Sequence, residues 1–303
     1  MLVIGTSKAV VFWDGSNLET VLQGHGLYTG CTWSNDSIYI AERNHHGPEQ
    51  CPKERIAVYD TGFHLKYTLC SGMAPNLILH DMHALYYDFE RELLIVTNTG
   101  RNQILFWGKD AKAPNTDQPV SIIPWEALLS GTQADKSRRD INHLNSVWIA
   151  PDRGLWVVEH NRGDSRLIKL DQALGMTRCI QMGREAHDVF EENGRHVWTC
   201  SSRHNALQCF DFEKNTVVRS IQLPGKCYPR GLAVGAKYFW VGMTPFNDKR
   251  GVRNSGPAKV IAVDRRSGRI ATTIRLNDAG QIFFVRLTDG QDLAHNQSRL
   301  WRV

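Results

Sequence analysis

Eight of the chain's twelve histidines, at positions 45, 46, 80, 83, 143, 160, 187 and 204, stand just before or just after short β-rich runs. Imidazoles that approach a narrow axis from several strands can bind a divalent ion such as zinc, which takes three protein ligands and keeps one position open for water or substrate. His83 and His187 lead as metal ligands because they hold the same place in a repeated phrase, and His143 comes next. The competing reading of any one of them is a histidine that satisfies backbone groups around a solvated channel. No H-E-x-x-H pattern fixes a spacing that would decide between the two.

Arginine supplies a second signal. Arg230 stands where the other copies of the phrase carry a neutral residue or histidine, and Arg101, Arg162 and Arg203 recur in equivalent loops. Guanidinium groups at those places can receive a carboxylate, phosphate or sulfate through paired hydrogen bonds, or can merely tether neighbouring repeats. Tyr228 lies two residues before Arg230 and shares its side of a strand, which sets an acid/base phenol beside a fixed cation. Among the carboxylates, Glu42 and Glu159 hold equivalent positions, and Asp81, Glu185 and Asp188 flank the histidines. Tyr228, Arg230 and Glu159 are therefore the expected catalytic groups. Arg101, Arg162, Arg203, Asn145 and His80 are the expected substrate contacts.

The elements that must position these residues are repeats. TGCTWSND from Thr29, HDMHALYYD from His80, NHLNSVWIAPD from Asn142, AHDVFEENG from Ala186 and PRGLAVG from Pro229 are versions of one phrase. They recur about every 40 to 60 residues, the period of a four-stranded propeller blade. One column of the repeat reads Thr29, His83, Asn145, His187, Arg230. Alternating β-branched and aromatic runs follow each copy, bounded by Gly, Asn and Asp, and argue for strands. The N-terminal runs LVIGTS, KAVVFWD and LETVL lack a first strand, whereas GQIFFVRLTDG near the C-terminus reads as a first strand alone. Joined, they complete a sixth blade and leave no open sheet edge. The expected fold is all-β, a six-bladed propeller over residues 1–303 as one domain, with a short helical turn at Ile122 to Leu129. In such a ring the starts of the inner strands and the loops from second to third strand meet at one mouth of the central channel, and the named side chains fall in those two places.

Composition agrees. A chain of 303 residues that is 42% hydrophobic can bury a sizeable core. The net charge of +5 and the absence of a Lys/Arg block give no case for nucleic acid, and no apolar run is long enough to span a bilayer. The chain opens on a strand pattern rather than a signal peptide, and its seven cysteines form no C-x-x-C pair, so the expected compartment is the cytoplasm. No phosphate loop and no G-x-S-x-G elbow is present, which argues against a nucleotide enzyme or a serine hydrolase.

The passages PRGLAVG and NSVWIAPDRGLWVVEHN resemble the NHL, SMP-30/gluconolactonase and strictosidine-synthase-like group of six-bladed propellers. Gluconolactonase-like members bind a divalent cation with Glu and Asn or Asp along the axis. Asn145 matches that chemistry, while His83 and His187 stand where a carboxylate or amide is expected. In its histidine content the site is more similar to the peptidyl-hydroxyglycine lyase propeller, which implies a metal held by His from several inner strands with Tyr and Arg nearby. The resulting expectation is a metal-dependent hydrolase or lyase, with zinc or a similar divalent ion as cofactor and a small, anionic metabolite as substrate. The alternative is a non-catalytic propeller that binds a peptide or protein on the same face.

Overall fold

The computed structural model describes residues 1–43, 54–73, 77–108, 121–125, 140–161, 163–247, 249–288, 290 and 292–295. Each repeated phrase forms an inner strand: Leu27–Trp33 in blade 1, Met82–Asp88 in blade 2, Leu144–Ile149 in blade 3, Ala186–Glu192 in blade 4 and Cys227–Val234 in blade 5. Six four-stranded antiparallel sheets result, each rich in Val, Ile, Leu and aromatic residues that suit a pleated, buried surface. Successive inner strands pack against one another, and the last, Ile282–Leu287, packs against the first to close the ring. The sixth blade is built as its sequence implies. Ile282–Leu287 pairs with Leu2–Thr6, with Ile4 opposite Val285, and Ala9–Trp13 and Leu18–Gln23 follow outward.

Both faces of each blade are buried, because a sheet in the ring has a neighbour on either side. Trp33, Trp107, Trp148 and Trp156 are among the largest fully buried side chains between blades. The fourth strands lie at the rim and alternate; Ile270–Leu276 buries only Ile274 and Leu276. Blade 2 departs from expectation at its outer edge. Ser121–Pro124 is its fourth strand, paired with Gln103–Phe106, so the helical turn expected from Ile122 does not begin there; Trp125, the next residue, is helical. Ile122 and Ile123 register with Leu105 and Ile104, and Pro124 ends the edge strand, where a missing N–H costs little. The remainder of that stretch, 126–129, lies outside the described residues.

Every inner strand carries a register shift near its start, in the strand itself or in its partner. The pairing skips Thr29 in blade 1, His83 in blade 2, Asn145 in blade 3, Asp188 beside His187 in blade 4, Gly231 beside Arg230 in blade 5 and Phe283 in blade 6. Such bulges twist a strand and re-aim the side chain beside them. Gly231 shows the local demand: its φ is +79°, and a Cβ there would meet the Phe284 carbonyl carbon at 2.8 Å. Cys31, Cys200 and Cys209 are buried as small apolar groups, and the six described cysteines are free thiols. Among the described residues no helix is long and apolar enough to cross a membrane.

Candidate active site in the propeller mouth

The bulges turn two positions of the repeat toward one cavity of about 320 Å³. The column itself supplies His83, His187 and Arg230, and the position two residues earlier supplies Asp81, His143, Glu185, Tyr228 and Gln281. In blades 2, 3 and 4 this earlier residue is left-handed, with φ of 53° at Asp81, 51° at His143 and 49° at Glu185. A non-glycine residue there is uncommon, and its recurrence at three equivalent places marks a shared constraint on where these side chains point. The loops after the second strands add His160 and Arg203, and the short helix Arg250–Arg253 in the blade 5 insertion adds Arg253.

Four imidazoles and a phenol follow one another along the wall. Ring centroids are 4.8 Å apart from His83 to His143, 4.8 Å from His143 to His160, 4.9 Å from His160 to His187 and 5.4 Å from His187 to Tyr228. Counting donors and acceptors fixes the tautomers, since a neutral imidazole has one of each. His187 Nδ1 is 2.8 Å from Ser202 Oγ, whose hydroxyl donates to Pro229 O at 2.7 Å, so Nδ1 carries the proton. His143 Nδ1 donates to Asp140 Oδ2 at 2.8 Å. Tyr228 Oη donates to Glu185 Oε2 at 2.7 Å, so His160 Nε2, 3.4 Å from Oη, is the donor in that pair.

His83 differs from the other three. Arg230 Nη2 donates to its Nδ1 at 2.6 Å, which leaves the proton on Nε2, 3.3 Å from Asp81 Oδ1. Arg43 pairs with Asp81 as well, and its Nη1 lies 3.4 Å from His83 Nε2. Ligand atoms of Asp81, His83 and His143 all fall within 4.8 Å of one another, a spacing that also suits a metal ion. A metal on Nε2 would place the imidazole proton on Nδ1, the nitrogen that faces Arg230 Nη2 at 2.6 Å. Burial, then the charge of Arg230, holds the His83 and His187 imidazoles neutral well below their ordinary range. Burial and the Glu185 carboxylate push the Tyr228 phenol upward, so it keeps its proton.

The other expected residues are distributed as follows. Asn145 is buried, with Nδ2 3.4 Å from His83 Nδ1, and does not line the cavity. Arg203 lines it and pairs with Glu185 Oε1 at 2.9 Å. His80 is exposed, with its backbone N–H on Asn98 Oδ1, and Arg101 sits in the single turn Thr99–Arg101; neither lines the cavity. Glu159 does not line it either. Its oxygens accept from Trp125 Nε1, Asn142 Nδ2 at 3.0 Å and Arg166 Nε at 2.5 Å, and Arg166 is its cross-strand partner. Glu42 repeats the arrangement with Arg55 at 2.7 Å and Tyr59 Oη at 2.6 Å. These glutamates clamp strands, and the carboxylates that line the cavity are Asp81 and Glu185. Asp188 turns inward, accepting from Gly231 N at 2.9 Å. Arg162, His45 and His46 lie outside the described residues.

Gln281, Arg43, Asp140 and Ser202 were not expected at the site. Gln281 holds the earlier repeat position in the sixth phrase, so the repeat contained the signal. The other three are partners across loops and blades, and no periodic pattern marks them.

No protein-family model matches the chain, and no curated protein matches it significantly. Solved structures do. A chain of a nidogen/laminin complex is 10% identical with a TM-score of 0.63, over 94% of this chain and 97% of that one. A protein from Lactobacillus plantarum is 12% identical with a TM-score of 0.58, over 94% and 98%. Virginiamycin B lyase from Staphylococcus aureus also matches, at 14% identity over 84% and 71%, but its TM-score of 0.49 carries no argument. At these identities the likeness concerns the fold, a six-bladed β-propeller, and leaves the chemistry to the side chains of the mouth.

Proposed function

We propose that the protein is a metal-dependent hydrolase or lyase acting on a small anionic metabolite in the cavity, within the NHL and SMP-30-like propellers. The observation that carries this reading is the run of buried imidazoles with outer partners that fix their tautomers. Histidines that bind metals are commonly oriented this way, through a carboxylate or other acceptor on the second nitrogen. His143 has Asp140, His160 has Tyr228 and His187 has Ser202. These three residues would hold the divalent ion, zinc or a similar metal. When bound, it would supply a Lewis acid for a substrate oxygen or water.

The remaining groups have separate work. Arg230, fixed between the Phe283 ring at 4.6 Å and His83 Nδ1, binds the acidic group of the substrate. Glu185 accepts the proton that leaves the substrate, reached through Tyr228: Oη takes that proton as it gives its own to Oε2. Arg203, at 2.9 Å from Glu185 Oε1, fixes where that side chain sits. A peptide-binding role is less well served, because His83, His160, His187, Tyr228, Glu185 and Arg230 are all buried rather than spread over an open face. The free thiols fit a reducing compartment, and the cytoplasm is part of the same proposal.

The test is a screen of small carboxylate and phosphate esters, lactones and hydroxy acids for turnover, with and without a chelator. Turnover that a chelator abolishes and zinc restores is expected. Turnover indifferent to both would remove the metal from the account, and its persistence in Arg230→Ala would remove the anion anchor.

A further inference from the structure

Five copies of the phrase bring a side chain to the cavity from the position two residues before the column, and four of these are engaged within the protein. Asp81 pairs with Arg43, His143 with Asp140, Glu185 with Arg203 and Tyr228 with Glu185. Gln281 is the fifth. It is 3% exposed and lines the cavity, yet its carboxamide makes no hydrogen bond among the described residues. A buried amide in that state is costly, because a donor and an acceptor have both lost water without gaining a partner. Its backbone is fixed, with the N–H donating to Ser7 Oγ at 3.0 Å and the carbonyl accepting from Ser7 N at 2.8 Å. Gly280 before it has φ of +70°, and a Cβ there would collide with Ser7 Oγ and the Asn254 carbonyl, so the turn that delivers Gln281 is closely packed. In a ring of six, blade 6 stands opposite blade 3 and beside blade 5, which sets Gln281 across the mouth from His143 and next to Tyr228.

From this arrangement we infer that Gln281 determines specificity, and that the substrate carries, besides its acidic group, a carboxamide that pairs with the Gln281 side chain. This rests on reading the mouth as the site of a small acid and names the second group of that molecule. The Gln281 amide presents an oxygen and an NH2 side by side in one plane. A ligand carboxamide has the same two atoms and closes both hydrogen bonds at once. A carboxylate or a ketone offers acceptors only and leaves Gln281 Oε1 unpaired, and a single hydroxyl oxygen cannot meet both atoms along favourable directions. The acid anchor is close by. Phe283, two residues after Gln281, lies against the Arg230 guanidinium at 4.6 Å, so the two recognition groups stand on adjoining blades and a short carbon chain joins what they bind. A cavity of about 320 Å³ suits such a molecule.

Titration calorimetry with succinamate and glutaramate against levulinate and 5-oxohexanoate tests the assignment, with zinc at one concentration throughout so that the ion acts equally on every ligand. Each amide acid and its methyl ketone share charge, length and carbonyl, and differ only in NH2 against CH3. On the wild-type chain at least one amide acid binds about tenfold or more tighter than its ketone, because the ketone leaves Gln281 Oε1 without a donor in a dry site. In Gln281→Met and Gln281→Leu the ratio falls to about one. Both variants hold the wild-type melting temperature, since the side chain makes no hydrogen bond in the protein and the turn is held by its backbone. Arg230→Ala weakens amide acids and ketones alike and preserves their ratio. Equal binding of amides and ketones to the wild-type chain, or a ratio unchanged in the Gln281 variants, overturns the amide assignment while the acid anchor stands. Amide preference lost in the Gln281 variants, with affinity unaffected by Arg230→Ala, overturns the anchor and leaves the amide assignment in place. Failure of all four acids to bind the wild-type chain overturns both.

Discussion

The hydrogen bond from Arg230 to His83 Nδ1 separates two imidazoles that occupy the same column of the repeat. His83 accepts from Arg230, while His187 presents its other nitrogen under the control of Ser202. Both are held neutral by burial, and this has a consequence for stability. An unfolded histidine titrates near 6.5, and the folded pKa of each is lower. Between the two values the unfolded chain binds a proton that the folded chain does not, so stability falls as pH drops below about 6.5, by at most about 1.4 kcal/mol per unit for each residue. Melting temperatures in chelator-containing buffer should fall from pH 7 to pH 5, and less steeply in a His83→Gln, His187→Gln double variant. Equal slopes would show that these imidazoles are not held neutral. At this scale residue types and columns were legible in the sequence, and hydrogen-bond partners were not. Arg43, Asp140 and Ser202 reach the site through loop geometry and contacts between blades, so no periodicity announces them.

Bulged inner strands and their left-handed entries convert sequence position into a shared cavity. Because Asp81, His143 and Glu185 occur at one repeat position with φ near 50°, a single local geometry serves three blades. The same register explains why Glu159 was the wrong glutamate to select. It ends a second strand opposite Arg166, and strand pairing points it at that neighbour and Trp125 rather than at the axis. Glu159→Gln is expected to cost about 1–3 kcal/mol, at the lower end because the Arg166 side chain is 42% exposed, and to leave turnover unchanged. Glu185→Gln should do the reverse, abolishing turnover with little loss of stability. Denaturant titration beside turnover distinguishes the two, and loss of turnover in Glu159→Gln would return it to the site. The helical turn expected over Ile122 to Leu129 is displaced at its start, because Ile122 and Ile123 pair with Leu105 and Ile104 and Pro124 ends that strand, while Trp125 is already helical.

Closure of the ring makes the mouth a property of the whole molecule, since its wall draws on five blades and the fifth neighbours the sheet shared by both termini. This much was readable from the repeat, because a first strand at one end and three later strands at the other have one economical solution. Val285→Pro removes a ladder N–H opposite Ile4 and should destabilise the chain by about 3 kcal/mol or more. One cooperative transition at lower temperature is expected by calorimetry; an unchanged transition would show that closure contributes little. The central claim is that His143, His160 and His187 hold a divalent ion while His83 serves Arg230. Its most direct test is the metal content of purified wild-type chain, His83→Ala and His187→Ala after equilibration with zinc and gel filtration. The account predicts about one zinc per chain in the wild type and in His83→Ala, with loss in His187→Ala, from the three-ligand chemistry of the ion. Retention of zinc by His187→Ala, or its loss from His83→Ala alone, would contradict it.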